Sequence, residues 1–273
     1  MHLKRWLTAL VLIPLIILAL LKGGRLSFVL ILLLINGLAQ WEFVALFQPA
    51  VDQARKIKVL ALGSLLLLSF CLAAGPQSQA MPLFVLVGCL FALFLFYLLS
   101  YEHIQELAWN LAINTLGLLY IPLLLGHFIW LRYMTQGEWW ILWLLFVICC
   151  GDTAAYYTGK LWGQQKFYPQ VSPGKTWAGT FGGLAANVVV GGVLGHWFLP
   201  EANFFTLVLL AFGLGVIGLL GDLFESMLKR QAQVKDASSL LPGHGGMLDR
   251  LDSLLFTAPA LLYARLFISS FSP

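Results

Sequence analysis

Charge is what this chain has least of. Asp, Glu, Lys and Arg make up 10% of its 273 residues, against about 25% in an ordinary soluble domain. Hydrophobic residues make up 60%, and mean hydropathy is +0.87. That balance excludes a domain facing water on all sides and points to an integral membrane protein. Cysteine is scarce too. Cys71, Cys89, Cys149 and Cys150 all stand in apolar runs, two of them adjacent, so neither a disulfide framework nor a zinc site is expected. A net charge of +4 is too small to indicate a nucleic-acid partner. No repeat period stands out, and no stretch reads as a separate soluble domain.

What is there is a series of apolar runs. A bilayer span needs about 20 residues, and runs of about that length lie near 6–22, 26–47, 57–75, 81–100, 107–131, 138–159, 176–198, 203–228 and 248–270. The fold class is therefore all-α, a polytopic membrane protein with about nine transmembrane helices. Lys4 and Arg5 before the first run resemble the start of a secretory signal. Lys22, Gly23, Gly24 and Arg25 follow it in place of a small-residue cleavage site, so the run is expected to remain a helix. Two regions are expected: 1–135 with about five N-terminal helices, and 136–273 with about four helices and the polar connections between them. The longest connections, near 160–175 and 229–247, are rich in Lys and Arg. Positive charge favours the cytosolic side, so both are expected to face the cytosol.

Six of the twelve acids, Asp152, Asp222, Glu225, Asp236, Asp249 and Asp252, gather at the expected inner ends of the last helices or in the loop between them. Ionisable groups at membrane depth are costly and point to function. Asp222 lies about two turns inside its helix, on the order of 10 Å deep. A metal ion or a buried Lys or Arg would satisfy its carboxylate; an ion pair with Lys229 or Arg230 is the structural alternative, stronger for Glu225. Asp222 and Glu225, and again Asp249 and Asp252, are spaced i, i+3 and share a helix face. Carboxylate oxygens so arranged suit a hard divalent cation. Lys229, Arg230, Lys235 and Arg250 exceed what metal binding needs and fit a substrate with several phosphates.

Between these acids runs "PGHGGMLDRLDS", 242–253. Gly243, Gly245 and Gly246 flank His244 and lead into the last helix, a setting in which backbone N–H groups reach phosphate. A second polar island holds "GDTAAYYTGK" at 151–160 and "SPGKTWAGT" at 172–180. Asp152 interrupts an apolar helix there. Ser172, Lys175 and Thr176, in the connection after it, form a candidate clamp for a triphosphate or a lipid headgroup, although the Walker A spacing is absent. Tyr156 and Tyr157 fit an interfacial belt better than a base-stacking role. Gly179, Gly182, Gly183, Gly191, Gly192 and Gly195, then Gly213, Gly215, Gly218 and Gly221, read as close-packing faces of two helices, with a homodimer contact as the alternative. His2, His103, His127 and His196 read as packing or interface residues.

The stretch 226–252, "SMLKRQAQVKDASSLLPGHGGMLDRLD", resembles the signature of the phosphatidate cytidylyltransferases, also called CDP-diacylglycerol synthases. Ser226, Lys229 and Arg230, Lys235 and Asp236, Pro242, His244 with Gly245 and Gly246, Asp249 and Arg250, and Asp252 stand in that pattern's order. "GDTAAYYTGK" and "SPGKTW" are similar to two further blocks of that family. One departure is visible: Ala178 stands where the family often has an acid. The resemblance implies cytidylyl transfer from CTP to phosphatidate, giving CDP-diacylglycerol and pyrophosphate in phospholipid biosynthesis. It implies magnesium, as one or two divalent ions with a monovalent ion as an option, on Asp222, Asp249 and Asp252. Catalytic work would fall to Asp222, Lys229, Arg230, Lys235, Asp236, His244, Asp249 and Arg250. Substrate would be bound by Asp152, Ser172, Lys175, Thr176, Ser226, Gly245 and Gly246. The expected location is the inner membrane, with the site toward the cytosol. A CDP-alcohol phosphotransferase would need a D-G-x-x-A-R-type helix, which is absent. A transporter would need broken helices and charge at the midplane.

Overall fold

The computed structural model describes residues 17–72, 80–101, 106–240 and 245–271. Its main elements are α1 (Gly24–Phe47), α2 (Gln53–Leu72), α3 (Ala80–Leu99), α4 (Leu107–Leu118), a π-helical turn (Leu119–Leu123), α5 (Leu124–Tyr133), α6 (Gly137–Trp162), β1 (Lys166–Tyr168), β2 (Ser172–Thr176), α7 (Trp177–Phe198), α8 (Phe204–Gln231) and α9 (Leu248–Phe271). Seven helices among the described residues are long and apolar enough to cross a membrane. Large apolar side chains stand on their outer surfaces, with Leu99, Phe205, Phe84 and Trp197 all at least 73% exposed. Such a surface suits hydrocarbon, where a helix satisfies its own backbone. The chain is an integral membrane protein.

The expected count of about nine spans is not reached among the described residues, for two reasons. The run 6–22 lies mostly outside them. The run 57–75 does form a helix, α2, but Arg55, Lys56 and Lys58 stand in its first two turns, and the apolar remainder is shorter than a span. Asp52 caps that helix: its Oδ1 accepts the N–H of Arg55 at 2.7 Å, and its Oδ2 lies 3.2 Å from the Arg55 guanidinium. The described fold is nearly all-α, as expected, with one short exception. β1 and β2 form an antiparallel hairpin, pairing Lys166 with Thr176 and Tyr168 with Ser172. The sequence read this stretch as a plain loop because Pro169, Pro173 and Gly174 mask its strand character. The span Leu107–Tyr133 is continuous, but Pro122 lacks an N–H and the helix opens into a π turn there.

The chain divides into two compact units, Met1–Met134 with Asp236–Asp249, and Thr135–Lys235 with Arg250–Pro273. In the first, Phe43, Leu66, Leu67, Phe70 and Leu118 are fully buried. Trp130 packs tilted against Phe70, ring centroids 4.6 Å apart, and its indole N–H donates to the Phe70 carbonyl. His127 packs beside both rings, a packing residue as its isolation suggested. In the second unit, α6 and α7 meet along small residues. The indole of Trp143 on α6 donates to the Gly191 carbonyl of α7 at 2.9 Å. A Cβ on Gly179 would stand 2.7 Å from the Ala155 carbonyl, so the two backbones approach as only glycine allows. Gly221 of α8 likewise packs against the backbone of Asp252 on α9, which brings the acids of those two helices near one another.

Candidate active site

The second unit assembles its acids from three segments. α6 carries Asp152, α8 carries Asp222, and α9 carries Asp252. Asp222 acts electrostatically on both of the others, and Lys175 and Arg250 offset the charge at Asp152. Three carboxylates far apart in sequence thus share one electrostatic neighbourhood. Asp252 also accepts the N–H of Ser253 on Oδ1 at 2.6 Å. Lys175, near the end of β2, places its Nζ 2.6 Å from Asp222 Oδ2. Ser226, one turn along α8, donates its hydroxyl to Asp222 Oδ1 at 3.3 Å. The cation that satisfies Asp222 therefore comes from the hairpin as the partly exposed Lys175, and the alternative partners Lys229 and Arg230 do other work.

Lys229 pairs with the fully buried Glu225 at 2.5 Å. Arg230 donates to the carbonyl of Val171 at 3.2 Å and of Val234 at 3.1 Å, so it ties the hairpin to the segment after α8. Both are helical, because α8 runs to Gln231, three residues past the expected end. Thr176 caps α7, its hydroxyl accepting the N–H of Gly179 at 3.1 Å. That satisfies one of the helix's orphan donors and gives Thr176 a structural task beside the binding role expected of it. Ser172 opens β2 and is half-buried; Lys235, Asp236 and Arg250 are exposed.

The first unit holds the rest of the signature, and backbone dominates there. Asp249 is buried; its Oδ2 accepts the N–H of Gly246 at 2.7 Å and of Ala237 at 3.0 Å. Gly245 has φ +78, the left-handed region, and a Cβ there would meet that same Asp249 oxygen at 2.7 Å. The glycines expected to admit phosphate thus also admit carboxylates to the backbone. His244 lies outside the described residues, as do His2 and His103.

Sequence reasoning missed Glu42. It is the lone acid of α1 and only 3% exposed. Its Oε1 accepts the Ser238 hydroxyl at 2.6 Å and the Met247 N–H at 2.9 Å, and its Oε2 accepts the Leu248 N–H at 2.8 Å. The signal was available: one carboxylate inside an otherwise apolar run calls for the same reading that was applied to Asp222.

Among the described residues no group of three or more His, Cys, Asp or Glu side chains is arranged to hold a metal by itself. Magnesium commonly takes one or two protein carboxylates and completes its shell with water and substrate phosphate. Asp222 and Asp252, two oxygen donors in one electrostatic neighbourhood, fit that pattern.

The model of the cytidylyltransferase family matches residues 3–268. The chain is similar to proteins named phosphatidate cytidylyltransferase. It is 33% identical to that of Bacillus subtilis over 262 residues, 93% of this chain and 94% of the other. It is 31% identical to that of Staphylococcus epidermidis over 262 residues, 94% of this chain and 96% of the other. The match to that of Haemophilus influenzae is 38% identical over 137 residues, and it spans about half of each protein, 49% of this chain and 48% of the other.

Proposed function

The chain belongs to the cytidylyltransferase family, and we infer that it transfers the cytidylyl group of CTP to phosphatidate, giving CDP-diacylglycerol and pyrophosphate. The near-full-length likeness to the Bacillus subtilis phosphatidate cytidylyltransferase carries this reading. The second unit supports it: carboxylates of three membrane helices share one electrostatic neighbourhood, and Lys175 of the hairpin pairs with Asp222 among them.

The lipid phosphate is anionic at neutral pH and is itself the nucleophile. One of its oxygens bonds to the α-phosphorus of CTP, the bond from that phosphorus to the bridging oxygen breaks, and pyrophosphate leaves. No Ser or Cys nucleophile is needed. The demand on the protein is to bring two anions together and to stabilise charge on the leaving group. Magnesium, held by Asp222 and Asp252, would supply charge neutralisation on the phosphates. Lys175 leaves Asp222 and turns to a phosphate oxygen when substrate arrives. Lys235, exposed at the end of the cationic segment, meets the same triphosphate. Arg230 holds the hairpin and so keeps Lys175 in reach. The acyl tails stay in lipid, which is why so apolar a chain carries this chemistry. We place the site on the cytosolic face of the inner membrane, where CTP is.

Purified protein in mixed micelles should release pyrophosphate only when CTP and phosphatidate are both present, with CDP-diacylglycerol formed in equal amount. Release that continues with diacylglycerol in place of phosphatidate, or no release at all, would reject the assignment.

A further inference from the structure

We propose that Glu42 is a positioning residue: its carboxylate clamps the described flanks of the signature loop, Ser238 on one side and Met247 with Leu248 on the other, to α1, and so sets the affinity for CTP. The proposal rests on the cytidylyl-transfer reading above. Three donors converge on this one side chain: the Ser238 hydroxyl and the N–H groups of Met247 and Leu248. They come from both ends of the loop, about 200 residues away in sequence. Ser238 passes the contact on, because its hydroxyl accepts the N–H of Leu240 at 3.0 Å. Leu248 opens α9, so Glu42 satisfies N–H groups that no helical carbonyl can reach. A carboxylate at that end also opposes the helix dipole favourably.

Three features make this a clamp and not an incidental contact. Glu42 is 3% exposed, and a carboxylate so buried is stable only when its hydrogen bonds are made. Gly246 is buried against it, and a Cβ there would meet Glu42 Oε2 at 2.6 Å, so the loop's glycine is matched to this acid. Asp249 grips the same loop from its other side through Gly246 and Ala237. Asp236 precedes the loop and Asp249 follows it within the same unit, so its conformation bears on both.

The consequence is kinetic. Without the clamp, the loop spends only a fraction of its time in the competent form. The apparent affinity for CTP falls by that fraction, while saturating CTP restores the competent form and with it kcat. A residue that merely kept the protein folded would do the reverse: fewer active molecules, a lower apparent kcat and an unchanged KM.

Glu42→Gln presents one carbonyl oxygen and sets an amide NH2 against an N–H donor. It should raise KM for CTP about tenfold and leave kcat, per folded enzyme, within about twofold. Glu42→Asp should recover part of that loss. A nitroxide on Ser239→Cys, in a background lacking Cys71, Cys89, Cys149 and Cys150, should become more mobile in Glu42→Gln. An unchanged KM with an unchanged spectrum would overturn the proposal, and so would a fall in kcat at constant KM. If Glu42→Gln does not fold, Ser238→Ala, which removes one of the three bonds, should raise KM about threefold; no rise there would overturn it equally. A wild type that does not turn over would reject cytidylyl transfer but not the clamp, because the nitroxide readout needs no substrate.

Discussion

Two carboxylates of this protein, Asp222 and Glu42, are held in opposite ways. Asp222 is 28% exposed at its side chain and leans on Lys175, itself a flexible side chain 20% exposed. Glu42 is 3% exposed and is held by two backbone N–H groups and a hydroxyl. An ion pair between half-exposed side chains can be traded for other ions at small cost, because water and phosphate offer each partner a substitute. Backbone N–H groups buried against a carboxylate have no such exchange. The second unit thus carries charge that substrate can rearrange, and the first carries charge that fixes a loop. On the proposed reading, acids with the same chemistry serve as reagent in one place and as fastener in the other.

The contrast breaks most sharply at Asp222. Asp222→Asn keeps the shape and removes the charge, and should lower kcat/KM on the order of 100- to 1,000-fold, with the protein still folded by size-exclusion and circular dichroism. Near-normal turnover across a magnesium titration would place the reacting charge elsewhere. Next come the cations. Lys235→Ala and Lys175→Ala each remove a charge-assisted contact worth about 1.5–3 kcal/mol, or roughly 10- to 150-fold in kcat/KM. Kinetics within twofold of wild type for both would show that these lysines only dress the surface. Lys175→Arg keeps the charge but not the geometry, so its rescue should be partial.

Asp249 decides where the border between the two kinds of acid runs. Asp249→Asn leaves one acceptor oxygen for the N–H groups of Gly246 and Ala237. A fastener should then lose about tenfold or less, read mainly in KM for CTP. A loss equal to that of Asp222→Asn would make Asp249 a metal ligand, as its spacing from Asp252 suggested. The smallest effect belongs to Thr176→Ala. It removes the cap of α7 and should cost about 1 kcal/mol of stability, seen as a lower unfolding temperature in detergent, with kcat little changed.

Much of this was legible because membrane helices and acids write plainly in sequence. Runs near 26–47, 81–100, 107–131, 138–159, 176–198, 203–228 and 248–270 return as spans with ends shifted by a few residues, since a bilayer tolerates no other backbone there. The run 57–75 returns as a helix, with Arg55, Lys56 and Lys58 in its first two turns, and is not among the spans of the described residues. The hairpin 166–176 escaped because strand pairing in so short a ribbon depends on what it packs against. Its Trp177 end is fixed by Phe167 at 4.7 Å and by the Gln165 carbonyl, contacts with no local signature.

By itself, then, the sequence determined the solvent, the helices, the family and the short list of acids and cations. Each follows from composition, apolar run length or an unbroken motif, all of them local properties. Which distant partner meets which acid was left to the tertiary structure: Lys175 with Asp222 across 47 positions, and Glu42 with a loop about 200 residues distant. Partners of that kind are chosen by the close approach of helices along glycine faces and by the need of every buried donor for an acceptor, and neither has a period that a linear chain displays.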